Sequence, residues 1–347
     1  MAARVAFVTG STGLLGNNLV RALLAEGWYV RALARSKDKA SQQLAPHERL
    51  SIILGDMANV AGFAQSLAGV DVVFHTAAFF RDNYKGGRHR DELKRVNVDG
   101  TAALIAAAYQ SGVRRFVQTS SIAVLNGPAG TLIDESCERH LDDGDDYYRS
   151  KILADREVHA FLSVHEDMHA VFVLPGWMWG PGDMGPTSSG QAVLDTVRGK
   201  LPGIAPGSFS VVDARDVAAA MIAAASRGRR GERYLAAGQH LTMRELIPLV
   251  GRIANVQVPT RELPMFLLYA VAGIQELWAR LSGKPVLFSL ANARLLDKEA
   301  DRSHFNHAKS GRELGLAFRP LEVTIGETIA WYRDNGWLSA MAENRPG

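Results

Sequence analysis

The sequence predicts an α/β chain in which a doubly wound parallel sheet carries a smaller lobe drawn largely from the C-terminal part. Three observations carry that expectation. Apolar runs of strand length recur at "RVAFVTG", "YVRALA", "LSIILGD", "VDVVFHTAA", "RRFVQTSS" and "HAVFVLPG", which is how strands buried on both faces read. Amphipathic stretches such as "LLGNNLVRALLAEG" and "VDGTAALIAAAYQSG" separate them, and strands alternating with helices call for right-handed crossovers and a sheet covered on both sides. Finally, 347 residues with 47% apolar and 22% charged content bury one large core, or two modest ones that share a cleft.

The first unit joins a strand at 4–9 to a helix at 14–27, whose Leu15, Leu19, Ala22 and Leu23 fall at helical spacing. Gly10, Gly13 and Gly16 lie at the junction. A strand that turns sharply into a helix needs residues without a Cβ where a diphosphate is to touch backbone, and the helix N-terminus offers amide donors and the positive end of its dipole. Gly16, in the first turn, lets the helix approach the sheet closely. The spacing is G-x-x-G-x-x-G, which shares the mechanics of the common dinucleotide fingerprint but not its register. A glycine-rich turn without a ligand is the plainer alternative.

The second strand, 29–34, ends at Arg35, with Lys37 and Lys39 close behind. In a dinucleotide fold this position faces the adenosine ribose, where a carboxylate suits two free hydroxyls and an arginine suits a 2′-phosphate. The positive pocket therefore favours NADP(H) over NAD(H), with solvated surface charge as the alternative. Elsewhere the charges are scattered: 39 Lys and Arg against 36 Asp and Glu give +3, without the dense basic stripe of a nucleic-acid binder. A small molecule is the expected partner. Cys137 is the sole cysteine and the chain opens on a strand rather than a secretory leader, which fits a reducing cytoplasm. The apolar block "MFLLYAVAGI" at 265–274 is about half of the roughly 20 residues that span a bilayer.

"DDGDDYYRSKILADREVHAF" reads as a helix entered from an acidic loop, and its i to i+4 spacing sets Tyr147 and Lys151 on one face. A tyrosine hydroxyl ordinarily titrates near pH ~10, but an ammonium within about 4 to 6 Å, aided by a positive nicotinamide, favours the phenolate. Tyr147 can then exchange a proton near neutrality; Tyr148 has no such partner. Upstream, "FVQTSS" ends a strand with hydroxyls at 119–121, placed to hold a carbonyl oxygen beside that tyrosine. Ser121 is the expected residue, with Ser120 behind it.

Together, "VTGSTGLLG", "GD" at 55–56, "HTAA" at 75–78, "NVDGT" at 97–101, "TSSIAV" at 119–124 and "YYRSK" at 147–151 resemble the extended short-chain dehydrogenase/reductases over nearly the whole chain. "LPGWMWGPGD", "PTSSG", "VVDARDVAAAM" and "GERYLAAG" look most like their dihydroflavonol-reductase-like and hopanoid-associated sugar epimerase-like bacterial members. The resemblance implies a Rossmann-type fold, catalysis by Ser121, Tyr147 and Lys151, and a diphosphate held by Gly10, Thr12, Gly13, Leu14, Leu15 and Gly16. It sets Asp56 and Met57 along the adenine, Ala77 and Ala78 at the cofactor ribose, and Thr119 on the nicotinamide side, with Pro175, Gly176, Trp177 and Met178 passing beside the carboxamide. Asn97 orders a helix near the site in many relatives; a simple helix cap is the equal alternative.

Residues 1–175 with 209–228 are expected to form the NADP-binding domain, and 176–208 with 229–347 a substrate lobe. Ligands of such sheets lie outside the carboxyl ends of the strands, so Phe79, Phe80, Ser121, Ala123 and Trp177 should converge on one cleft, closed by "WMWGPGDMGPTSSGQ". The tryptophans and methionine there point to an apolar or ring-shaped substrate. Leu125 stands where epimerase-type relatives commonly carry a tyrosine, and "FFRDNYKGGRHRDEL" matches no loop that binds nucleotide sugars. Both favour NADP(H)-dependent carbonyl reduction, or the reverse alcohol oxidation, over an NAD(P)-retaining nucleotide-sugar epimerase. A cofactor-binding regulatory protein is a third reading, weakened by the intact Ser, Tyr and Lys; no metal site is expected. The apolar 264–290 segment is expected to pack on the core, with a pocket cap or a membrane surface as alternatives. Ala- and Leu-rich faces on helices at about 101–110 and 151–161 point to a homodimer.

Overall fold

A computed structural model describes residues 4–80, 89–282 and 301–338, with 290, 293, 294 and 299 between the last two segments. Residues 81–88 of the aromatic and basic stretch, and most of 283–300, lie outside the described residues. In chain order the strands and helices are β1 (Val5–Thr9), α1 (Leu14–Ala25), β2 (Tyr29–Ala34), α2 (Lys37–Gln43), β3 (Leu50–Leu54) and β4 (Val72–His75). Then follow α3 (Arg90–Leu93), a π-turn (Lys94–Asp99), α4 (Gly100–Gln110), β5 (Arg115–Thr119), α5 (Asp146–Val164), β6 (His169–Pro175) and β7 (Trp177–Trp179). The remainder is α6 (Ser188–Val197), β8 (Ser208–Asp213), α7 (Ala214–Arg227), β9 (Arg233–Ala236), β10 (Gln239–Thr242), α8 (Met243–Ala254), α9 (Met265–Ser282), α10 (Ala308–Leu314) and α11 (Leu321–Asp334).

Seven strands form one parallel sheet in the order β3-β2-β1-β4-β5-β6-β9. The two-residue period of the strands divides the core. Phe7, Val73, Phe116 and Phe172 point to the side covered by Leu104 and Ile105 of α4 and Val158 and Leu162 of α5. Their neighbours Ala6, Val8, Phe74, Val117, Val171 and Val173 point to the opposite side, against Leu15, Leu19 and Leu23 of α1 and Val217 and Met221 of α7. This is the doubly wound arrangement the alternating pattern predicts. Chain order turns back between β1 and β4, and a crevice at the carboxyl ends of the strands opens where crossovers diverge in this way.

A second sheet, β10-β8-β7, carries its own core, in which Trp179, Val193, Leu194, Val211, Leu246, Val250, Ile325, Ile329 and Tyr332 join α6, α8 and α11. Here the expected boundaries differ from the structure. The return near 209–228 supplies helix α7 to the large sheet, but its strand β8 pairs with β7 and β10. The edge of β6 is taken by β9, whose Tyr234, Leu235 and Ala236 are fully buried. Strand β8 links the two cores, because Val211 faces the small one and Val212 the large one. The segment 177–187 also departs from a loop that closes the cleft: it begins as β7, and its turn is drawn onto the start of α1, where Asn18 Nδ2 donates to Pro181 O and Asn17 Nδ2 to Gly182 O.

Helix α9 does not pack its apolar residues on the core. Phe266, Ile274, Leu277 and Trp278 are 61–70% exposed, whereas Leu268 and Ala272 on the other side are buried. No helix among the described residues is long and apolar enough to cross a membrane.

Candidate active site

The expected site residues follow the carboxyl ends of adjacent parallel strands: Gly10 after β1, Arg35 after β2, Asp56 after β3, Ala77 and Ala78 after β4, Thr119 and Ser121 at β5, and Pro175 at β6. They therefore share one edge of the sheet. At β1 the chain turns with Gly10 at φ +64°, and a Cβ there would meet Ala77 N at 2.7 Å. A Cβ on Gly16 would lie 2.1 Å from Gly10 O, so that glycine serves the close approach of α1 to its own turn. Gly13 differs. It is the N-cap of α1 with φ −83° and no side-chain cap, and a Cβ on it would meet only Gly10 O at 3.4 Å. The N-terminus of this twelve-residue helix thus has no side-chain cap and no acid in its first turn, which fits a dinucleotide's diphosphate. Gln43 Nε2 braces the turn by donating to Thr12 O and Gly182 O.

Arg35 and Asp56 are exposed, and Met57 is buried against the start of α4. Asp56 Oδ1 caps the turn that follows it by accepting from Ala58 N. A buried chain of hydrogen bonds fixes the β1 and β4 ends together. Thr9 Oγ1 accepts from Thr76 N and Ala77 N, both at 3.1 Å, so its proton goes to His75 Nδ1 at 2.7 Å. Thr101 Oγ1 donates to Asn97 O and accepts from His75 Nε2 at 2.9 Å, which assigns the neutral Nε2–H tautomer. Burial, then the charge of Lys151, lowers the His75 pKa to about 3, so it stays neutral.

Asn97 is not a helix cap. It lies in the π-turn, accepts from Phe79 N at 2.7 Å, and donates to Phe79 O and to Ser150 Oγ, both at 3.0 Å. Ser150 Oγ in turn donates to Tyr147 O. Asn97 therefore joins the loop after β4 to the helix that carries Tyr147. Asp145 starts that helix by accepting from Tyr148 N, which sets the phase of α5: Tyr147 and Lys151 face inward. The Phe80 ring meets Tyr147 edge-on at 4.7 Å, and Leu93, Ala123 and Tyr147 form one small apolar cluster flanked by Phe79 and Phe80. Lys151 Nζ donates to Thr119 O at 2.6 Å. Burial lowers its pKa, and Asp155 partly restores it. Ser121 is half-buried at the end of β5 and caps the next turn by accepting from Ala123 N.

Two buried charged groups, Asp155 and Arg139, went unforeseen. Asp155 Oδ2 accepts from Ser120 Oγ at 2.5 Å one turn beyond Lys151. Burial raises Asp155 to about 6 against the opposing pull of Lys151, Ser120 and Arg233. The i to i+4 step from Lys151 was readable in "KILAD"; the Ser120 contact was not. Arg139, 5% exposed, donates from Nε to Ala123 O and Leu125 O and from both terminal nitrogens to Glu299. Its guanidinium lies 4.6 Å from the Tyr148 ring centre. Nothing in the local pattern signals that 160-residue pairing.

Beside these groups lies a pocket lined by Ile122, Ala123, Leu125, Tyr148, Trp177, Phe209 and Phe305, with Arg139 and Glu299 at its wall; of the five residues expected to converge on one cleft only Ala123 and Trp177 line it, whereas Phe79 and Phe80 pack on the Tyr147 cluster and Ser121 is not among its lining residues. Trp177 stands 4.7 Å from Phe209. Gly176 is held against Ala237 O, which a Cβ would approach to 2.3 Å. Met178 O accepts from Ser189 Oγ. A larger cavity, about 480 Å³, lies behind α5 among Glu138, His159, Arg233 and Lys309. Its lining carries the Arg233–Glu138 and Lys309–Glu232 ion pairs, and neither it nor the apolar pocket is lined by Ser121, Tyr147 or Lys151.

A glycine turn at the centre of a parallel sheet, with a Tyr/Lys helix along the same edge, defines a dinucleotide-dependent oxidoreductase. Comparison with known proteins makes the class specific. The chain belongs to the NAD-dependent epimerase/dehydratase family, whose model matches residues 6–237, and so to the extended short-chain dehydrogenase/reductases. It is similar to the sterol demethylase protein B of Methylococcus capsulatus, 34% identical over 95% of this chain and 99% of that one. A putative dihydroflavonol 4-reductase of Synechocystis is 29% identical over 96% of this chain and 95% of its own length. Among solved structures, gox2253 superposes with a TM-score of 0.80 at 30% identity, covering 96% of this chain and 99% of that one.

Proposed function

We propose that the chain is an NADP(H)-dependent reductase that converts a carbonyl of an apolar, ring-containing substrate to the alcohol, or runs the reverse oxidation. The observation that carries this reading is the apolar pocket at the end of β5, whose wall residue Ala123 also packs in the small cluster with Tyr147. When bound, the nicotinamide supplies or accepts the hydride. The chain supplies the rest. Ser121 orients the substrate oxygen, and the Tyr147 hydroxyl passes it a proton. Lys151, held by Thr119 O, places a positive charge beside the tyrosine, which favours the phenolate form. Arg35 faces the 2′-phosphate that distinguishes NADPH. The two relatives, a sterol demethylase protein and a putative dihydroflavonol 4-reductase by name, support a ring-containing substrate.

The test follows cofactor absorbance with a panel of aldehydes, ketones, and steroid- and flavonoid-like substrates. Purified protein should hold little cofactor after dialysis and should oxidise NADPH in proportion to the carbonyl reduced. Protein that retained cofactor through dialysis and converted a nucleotide sugar to its epimer, with no net change in NADPH, would replace this reading by the epimerase.

A further inference from the structure

Helix α9 is amphipathic in the opposite sense to a core helix. Phe266, Leu267, Val271, Ile274, Leu277 and Trp278 are 41–70% exposed, and at 100° per residue they fall within one arc of about 140°. No charged residue stands among them. Glu276 instead turns away from this arc, and its carboxylate accepts from Leu290 N; Leu268 and Ala272 are the buried apolar residues of the helix. The buried side of the helix thus carries Leu268 and Ala272, while its large apolar side chains face out.

We propose that this face of α9 docks on the surface of an anionic lipid bilayer. The exposed apolar area is on the order of 600 Å², at the upper limit for a patch on a monomer. Two copies meeting through it would bury about 1,200 Å², the low end for specific complexes and below the range of obligate homodimers. The face is also a convex ridge along one helix, about 27 Å long over its 18 residues; a bilayer accepts such a ridge without needing a complementary groove. The helix is too polar to span, which leaves the interfacial position, with Trp278 at the depth that indole favours. The chain's net charge of +3, spread over its whole surface, adds a weak general attraction to anionic headgroups.

The placement ties α9 to the pocket. Just before the helix, Arg261 O accepts from Ile204 N and Leu263 N donates to Ile204 O, a few residues ahead of Gly207, Ser208 and Phe209 on the pocket wall. After the helix the chain returns to that wall at Glu299, Arg302 and Ser303. Docking would therefore bring the pocket rim to the bilayer, where an apolar substrate is most concentrated. Only this consequence rests on the reductase reading.

The full chain is sedimented with vesicles of phosphatidylcholine, with and without a quarter of phosphatidylglycerol. The parent should pellet with the anionic vesicles, and Ile274→Glu/Trp278→Glu should lower the partition coefficient by more than about tenfold. Melting temperature and NADPH affinity should not change, because both side chains are exposed. Leu54→Glu/Val164→Glu, at exposed apolar positions elsewhere, should pellet like the parent. The proposal is overturned if the parent stays in the supernatant with both vesicle types, or if the α9 variant pellets as the parent does. It is equally overturned if light scattering finds a dimer that the α9 variant dissociates while the parent ignores vesicles, since a second copy would then be the occupant. No turnover is measured, so failure of the reductase reading leaves this result intact.

Discussion

Gly13→Ala and Gly16→Ala separate a glycine kept for a ligand from one kept for the chain. At Gly13 the backbone has φ −83° and an added Cβ rests 3.4 Å from Gly10 O, so alanine fits, and its poorer capping costs about 0.5 to 1 kcal/mol. The methyl instead occupies the space over the amides of α1. Loss of one charge-assisted hydrogen bond to a diphosphate, worth ~1.5 to 3 kcal/mol, weakens NADPH binding by about 10- to 150-fold. At Gly16 the Cβ would stand 2.1 Å from a backbone oxygen, and turn and helix must move apart by more than about 1 Å. Overpacking of that kind costs up to ~3 kcal/mol. With an unfolding entropy of ~2.1 cal/mol/K per residue over 347 residues, this lowers Tm by about 4 °C. Melting by scanning fluorimetry and NADPH affinity by fluorescence titration provide the two readouts. Gly16→Ala should fail both and Gly13→Ala only the second. If Gly13→Ala bound NADPH within twofold of the parent, or Gly16→Ala melted with it, the division of roles would be wrong.

Tyr147→Phe should abolish turnover and leave NADPH affinity within a fewfold, whereas Tyr148→Phe should retain most activity; equal behaviour of the two variants in a steady-state assay would assign the proton donor wrongly. Arg35→Asp should reverse the cofactor preference, checked by the ratio of kcat/KM for NADPH and NADH, and an unchanged ratio would remove Arg35 from the ribose pocket. Asp155 gives a pH dependence of stability. Its folded pKa of about 6 exceeds the ordinary carboxyl value of 3.8, so the folded state holds the proton more tightly and stability falls as pH rises through this window. At ~1.36 kcal/mol per pH unit the loss approaches about 3 kcal/mol above pH ~6. Asp155→Asn should therefore gain stability relative to the parent between pH ~4 and ~6, measured by paired melting curves. It should also move the alkaline limb of the rate profile to lower pH, because Lys151 loses the charge that raises its pKa. Parallel melting curves across that range would show that Asp155 does not titrate there.

What was legible in the sequence is what a single element determines. The glycine turn and the Tyr147/Lys151 spacing are both local periods, and six of the seven strands of the main sheet announce themselves as apolar runs. The seventh did not, because 208–213 and 233–236 are both short apolar runs, and the choice between them is made by pairing to β6, a non-local event. The pattern of α9 likewise shows that an apolar face exists without showing which way it turns. That is settled by Glu276 and Leu290, a contact across a gap of fourteen residues. Asn97 falls between these cases: its spacing marks it, but its partners, Phe79 and Ser150, come from two other elements.

The buried charges fall on the same side of that line, and their placement bears on function. A buried ion pair returns little net stability, because desolvation offsets most of the attraction, and apolar residues of similar volume serve a core as well or better. Yet Lys151 and Asp155 are buried at the end of β5, and Arg139 with Glu299 at the wall of the apolar pocket. Asp155 and Arg139 each tie chain that is distant in sequence to the site: Asp155 reaches Ser120, beside Ser121, and Arg139 holds Ala123 O, Leu125 O and Glu299 at once. Stability alone gives no reason for either, whereas positioning does. A reductase must hold a carbonyl oxygen at a fixed distance from both a proton donor and a hydride source, and shifts of about 1 Å cost such geometry about a hundredfold in rate. On the reductase reading, the bonds from Asp155 to Ser120 and from Arg139 to Ala123 O and Leu125 O hold the turn at 119–125 where that tolerance is needed.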